Sequence, residues 1–157
     1  DLIKEIKLNH TKRIKPTITL YHGTLQEVIP DPSIQKDHLL TNEDFDFSSI
    51  TLLGDIHKRQ LLKNNIGYAG SLIQQNFGET QENHGGLLWN IEKESAIMFN
   101  IENDYGFGDI IINSGIWSNK HTKLPKNLYA RLIIDNATTE YQVQSIIKEI
   151  NKIRGSK

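Results

Sequence analysis

The tetrapeptide Gly54-Asp55-Ile56-His57 sets a carboxylate and an imidazole two positions apart, directly after the apolar run Ile50 to Leu53. An extended backbone with a glycine in front lets both donors approach one point, and an oxygen plus an imidazole nitrogen suit Mn, Fe or Zn better than Mg or Ca. Taken alone, an Asp-x-His triplet at a strand end is more often a turn with a solvated aspartate. His22 supplies context, because it too ends a run of β-branched and apolar residues, Thr17 to Tyr21, and is followed by Gly23. Ligands in α/β folds gather outside the carboxyl ends of strands, so two strand ends that carry metal-capable side chains reinforce each other. By itself His22 would serve as a histidine bonded to a carbonyl; beside Asp55 and His57 it reads as a ligand.

The chain that must position these residues has 157 residues and no cysteine, with 18 basic and 19 acidic side chains. That length suits one compact unit and excludes two large domains. Without cysteine there are no disulfides, thiolate zinc sites or Cys nucleophiles, so any metal is held by His, Asp, Glu or Asn. A net charge of -1 provides no basic footprint for nucleic acid. No run approaches the roughly 18 apolar residues of a membrane span, and no charged-then-apolar leader opens the chain, so a soluble, cytoplasmic protein with no membrane partner is expected. The chain opens on Asp1 within an amphipathic pattern, Leu2, Ile3 and Ile6, which is the expectation for a piece of a longer protein.

Strands are predicted at Thr17 to Tyr21 and Ile50 to Leu53, and again at Ile66 to Ala69. Leu87 to Ile91 and Ala96 to Ile101 are expected to pair as a hairpin across Glu92 to Ser95. Further strands fall at Phe107 to Ile112 and Leu128 to Ile134. The short basic stretch Thr11 to Lys15 precedes the first strand; between the first two strands lies Glu27 to Ser49, with Pro30 and Pro32 bracketing Asp31 and then acidic Glu43, Asp44 and Asp46, which reads as a surface excursion holding one helical turn. Val143, Ile146, Ile147, Ile150 and Ile153 recur at helical spacing, with Thr139 and Gln142 as a capping-box start and Gly155 as a stop. The class expected is α/β (α+β), divided at residues 1–104 and 105–157.

Three stretches carry a resemblance: Tyr21-His22-Gly23-Thr24-Leu25, Leu52 through Gln60, and Tyr68 through Glu79. In this order they resemble the C-terminal half of a calcineurin-like metallophosphoesterase, and more narrowly the nuclease subunit of SbcCD-type DNA repair complexes, phage recombination endonucleases included. The resemblance implies part of a β-sandwich flanked by helices over residues 1–104, and a small strand-strand-helix capping domain over 105–157. It implies a hydrolase that cleaves DNA phosphodiesters with two divalent metal ions, usually Mn, in repair or recombination.

Carried over, His22 matches a ligand of one metal, His57 the second histidine of the family's Gly-His-x-His turn, and Asp55 the first, an aspartate where the family has histidine. The extra negative charge should weaken attraction for phosphate and alter metal preference. Gly70 and Ser71 would approach the scissile phosphate through the backbone, and Lys58 and Arg59 would meet phosphates nearby. The bridging aspartate and the catalytic Asn-His pair have no counterpart in these 157 residues, so no catalytic residue is expected within them and the chain alone is expected to be inactive. Implied partners are DNA, an SMC-like ATPase subunit, the N-terminal half of the same protein and a second copy as homodimer, in the cytoplasm or at the nucleoid.

The alternatives are a degenerate, non-catalytic module that docks protein partners, and a metallophosphatase for small phosphoesters. Gly-Asp-Ile-His also resembles the first motif of the same superfamily, but Asn83-His84 lacks the glycine and acid that version needs. Lys120, Lys123 and Lys126 are the best local candidates for phosphate contact. Trp117 and His121 are candidates for stacking on DNA. Trp89 is expected in the core, His84 in a turn, and Glu79 beside His57 as an orienting carboxylate.

Overall fold

A computed structural model describes residues 17–28 and 39–155. The helix expected around Leu2, Ile3 and Ile6, the stretch Thr11 to Lys15 and the Pro30-Asp31-Pro32 segment lie outside the described residues. Among the described residues are nine strands, two short 3-10 turns and one α-helix, an α+β architecture. They form two compact units, one running to Leu72 and resuming over Asn83–Glu102, the other comprising Ile73–Glu82 and Asn103 onward.

The first unit is built on a four-stranded sheet of β1 (Ile18–His22), β2 (Ile50–Gly54), β3 (Gln60–Lys63) and β4 (Ile66–Tyr68), in the order β1-β2-β4-β3. β1 runs parallel to β2 and β2 parallel to β4, while β3 turns back antiparallel to β4. β2 sits between two parallel neighbours, and Ile50, Thr51 and Leu53 are buried, as a central parallel strand requires. Leu25, Phe45, Leu53, Ile66 and Tyr68 form the core, flanked by Tyr21, Val28, Leu40, Ile56 and Leu62.

The segment before β2 is therefore not only a surface excursion. Asn42–Phe45 forms a 3-10 turn that inserts Phe45 into the core, and Ser48 and Ser49 are fully buried. Two of the polar groups there are bonded, Ser48 Oγ donating to the Ile50 carbonyl at 2.7 Å and Asn65 Nδ2 to Ser49 O at 3.1 Å, whereas Asn42 Oδ1 is buried without a hydrogen-bond partner. A buried phenylalanine of this kind is worth about 1.5–3 kcal/mol of transfer free energy, enough to draw an otherwise acidic segment inward.

β5 (Gly85–Asn90) and β6 (Ser95–Asn100) form the expected antiparallel hairpin. Gly67 admits it to β4, since a Cβ at residue 67 would stand 2.7 Å from Leu61 Cδ2 and 2.9 Å from Leu87 Cδ1. Trp89 is half-buried in β5 and is not among the core side chains.

The second unit is a three-stranded sheet, β8-β7-β9, with helix α1 (Glu140–Gly155). β7 (Tyr105–Asn113) and β9 (Asn127–Ile134) are parallel and pair along eight positions, from Tyr105↔Asn127 to Ile112↔Ile134. β8 (Ile116–Trp117) returns against β7 through Ser114 and Gly115, both with positive φ (51° and 75°), a two-residue hairpin turn that twists with the strands. Ile110 and Ile112 alternate inward and meet Ile146 of α1, with Trp117, Leu124, Leu128, Val143 and Ile150 around them. The capping box forms: Thr139 N donates to Gln142 Oε1 at 2.8 Å, and Gln142 N to Thr139 Oγ1 at 3.4 Å.

Candidate functional site

β1 and β2 end side by side. Their parallel register pairs His22 with Gly54, and one more backbone bond, Gly23 N to Gly54 O at 3.2 Å, holds the two chain ends together past the last paired residues. The His22 ring lies on Gly54, where a Cβ would come within 2.9 Å of His22 Cδ2. A glycine at the end of β2 therefore makes room for the imidazole.

Asp55, the next residue, has φ 98°, a conformation that a non-glycine side chain adopts at a cost of order 1–3 kcal/mol. Its carboxylate is held by Thr24, whose Oγ1 donates to Oδ2 at 2.9 Å. The loop that carries Thr24 is in turn fixed from β4. Tyr68, fully buried, donates its hydroxyl to Gly23 O at 2.8 Å and accepts from Leu25 N at 3.0 Å. Burial pushes the Tyr68 phenol above its ordinary value, more than the bond from Leu25 N–H lowers it. The phenol therefore stays protonated and remains a donor.

The loop after Asp55 is braced by the Gly70–Ser71 turn. Ser71 N donates to His57 O at 3.0 Å, and Gly70, at φ 75°, lies so close that a Cβ would be 2.8 Å from His57 O and 2.7 Å from Arg59 N. The close approach that glycine permits here is thus to the backbone of the His57 loop, and the Ser71 N–H is bonded to that loop.

Arg59 is likewise drawn inward. Its guanidinium donates to Phe99 O and Asn100 Oδ1 at the end of β6. Gly85 leaves space for it, because a Cβ there would meet the Arg59 Nη1 at 2.5 Å. Lys58 is exposed. His84 is buried with Nδ1 3.0 Å from Ser71 O and 3.3 Å from Ser71 Oγ, a contact that sequence reasoning left as a plain turn. No local signal announces it, since the two residues are thirteen positions apart.

The structure thus brings His22 beside the start of the Asp55–His57 loop and leaves all three side chains open to solvent. Two imidazoles and a carboxylate are a donor set suited to Mn, Fe or Zn. Among the described residues, no three His, Cys, Asp or Glu side chains gather closely enough to hold an ion by themselves.

In the second unit, Glu79 accepts from Gln75 N and Asn76 Nδ2, both at 2.8 Å, and so closes its own turn. Trp117 packs on the core and donates Nε1 to Asn119 Oδ1 at 2.9 Å; His121 is exposed. Lys120 pairs with Glu149, and Lys126 with Asp104, so two of the three lysines proposed for phosphate already face carboxylates. Arg131 makes a bidentate pair with Asp109 and lies 4.6 Å above the Phe77 ring.

No family model matches the chain. It is similar to an uncharacterized protein of Acanthamoeba polyphaga mimivirus, with 35% identity over 161 residues. That alignment takes in 97% of this chain and 12% of the viral protein, so the chain spans about an eighth of the length of the relative it matches.

Proposed function

We propose that this chain is the ligand-bearing C-terminal part of a calcineurin-like metallophosphoesterase that hydrolyses DNA phosphodiesters in repair or recombination. The observation that carries this reading is the in-register pairing of His22 with Gly54, which sets one imidazole beside the loop of Asp55 and His57. His22, Asp55 and His57 would hold divalent metal, two ions and most readily Mn, with the remaining ligands and the catalytic residues supplied by chain outside these 157 residues. When bound, the metals supply a lowered pKa for water and a clamp on the attacking and leaving oxygens.

What the chain itself does is hold donors. Thr24 neutralises none of the Asp55 charge but fixes one oxygen, leaving the other for coordination. Aspartate at this position adds negative charge where the family has a neutral imidazole, which favours harder cations and disfavours approach of phosphate. Lys58 is the exposed cation closest in sequence to offset it. Such an enzyme would work with an SMC-like ATPase subunit, as a homodimer, in the cytoplasm or at the nucleoid. The second unit would act as its capping domain.

The test is the longer protein that contains this chain, assayed on linear single- and double-stranded DNA with and without Mn2+. Mn-dependent cleavage that His57→Ala removes is the expected result. An inactive longer protein would overturn the reading in favour of a non-catalytic docking module, and cleavage of small phosphoesters alone would reassign the substrate.

A further inference from the structure

We infer that His84 is a positioning residue for the His57 loop, an inference that rests on the metal-site reading of that loop. The imidazole is 8% exposed, and its Nδ1 faces the Ser71 carbonyl at 3.0 Å. A nitrogen facing a carbonyl oxygen carries the hydrogen, so Nδ1–H donates to Ser71 O, with Ser71 Oγ as a longer second acceptor at 3.3 Å. Ser71 passes the constraint on: its own N–H donates to His57 O at 3.0 Å. One ring therefore orients the Ser71 carbonyl, and Ser71 holds the backbone of a proposed ligand.

His84 is itself well anchored. Its carbonyl accepts from Ile101 N at 3.0 Å, and the next residue, Gly85, pairs with Asn100 as the first rung of β5–β6. The same end of the hairpin grips Arg59 through Phe99 O and Asn100 Oδ1. The 57–59 stretch is thus tied to one hairpin end by two routes, directly through Arg59 and indirectly through His84 and Ser71. Partners beyond the ligands set how accurately donors are held, and their loss commonly weakens metal affinity about 10- to 100-fold.

The experiment compares three variants in the longer protein, using Mn2+ alone as the probe. H84N keeps an N–H donor near the place of Nδ1, H84Q places its amide near Nε2, and H84L keeps bulk without a donor. The readouts are amide hydrogen exchange at Ser71, Mn2+ affinity by electron paramagnetic resonance, and the thermal midpoint. H84L and H84Q should speed Ser71 exchange and weaken Mn2+ binding at least about tenfold, whereas H84N stays within about threefold of the parent in both. Equal behaviour of H84N and H84Q, or a leucine variant with parental Ser71 exchange and Mn2+ affinity, would overturn the inference. If the parent binds no Mn2+, the metal-site reading fails and the inference with it, while the Ser71 exchange rates still report whether His84 braces the turn. Faster exchange with an unchanged Mn2+ affinity would leave His84 a structural brace and overturn the positioning role.

Discussion

The His22 imidazole rests on the bare α-carbon of Gly54, so near that a methyl group there would come within 2.9 Å of Cδ2. Because His22 is at the exposed end of β1, its ring can swing away, and Gly54→Ala should cost less than about 1 kcal/mol of stability. The ring itself should move. Its NMR resonances are expected to shift in G54A, with weaker Mn2+ binding; unchanged His22 signals would show that Gly54 does not set the ring.

Asp55 adopts φ 98°, and its carboxylate accepts from Thr24 Oγ1. Asp55→Gly and Asp55→Ala both remove the carboxylate and its bond from Thr24, but only glycine accepts that backbone without strain. D55G should be more stable than D55A by roughly 0.5–1 kcal/mol, and both should lose Mn2+ affinity. Urea unfolding of the pair measures this directly, and an alanine variant as stable as the glycine one would remove strain from the picture.

Tyr68 ties the β1 loop to β4 by two hydrogen bonds from a fully buried hydroxyl. Tyr68→Phe leaves the Leu25 N–H and the Gly23 carbonyl without that partner, at a cost of roughly 1–3 kcal/mol. The midpoint of denaturant unfolding should fall accordingly, with an unchanged slope; a loss below about 0.5 kcal/mol would mean that water replaces the phenol.

Much of this frame was legible in the residues. The apolar run of β2 and the period of Val143, Ile146 and Ile150 in α1 report burial directly, and burial is what selects those residue types; the hairpin of β5 and β6 was legible from two apolar runs flanking a turn, although Leu88, Ile97, Met98 and Phe99 are exposed. β3 was not legible, because Gln60-Leu61-Leu62-Lys63 neither alternates nor holds a β-branched residue, and all four are half-buried. β8 is two residues long and exists through the Ser114-Gly115 turn. Phe45 sits among acidic neighbours, so local polarity concealed its place in the core. In the site, His22, Asp55 and His57 stood out by type and spacing, whereas Tyr68, Thr24 and His84 act through contacts 13 to 45 positions away in sequence that no short pattern encodes.

The turn between β9 and α1 carries a pH dependence of known sign. Thr138 Oγ1 donates to Asp135 Oδ1 at 2.5 Å and Ser114 N to Oδ2 at 2.8 Å, and these bonds, the first foremost, hold the Asp135 carboxyl below its ordinary value of 3.8. Arg131 does the same for Asp109. A depressed folded-state value stabilises in full above the unfolded value and is lost as pH falls through the folded one. The second unit should therefore loosen below about pH 4, and Asp135→Asn should flatten that part of the profile. Helix content followed against pH provides the check, and identical acid profiles would contradict it.

The most direct test of the central claim is a Mn2+ titration of the longer protein that contains this chain, followed by NMR of the histidine rings. His22 and His57 are expected to broaden together, at one Mn2+ concentration, and Asp55→Asn should abolish the effect on both. Broadening of one ring without the other, or an effect that survives D55N, would contradict a shared cation at the ends of β1 and β2.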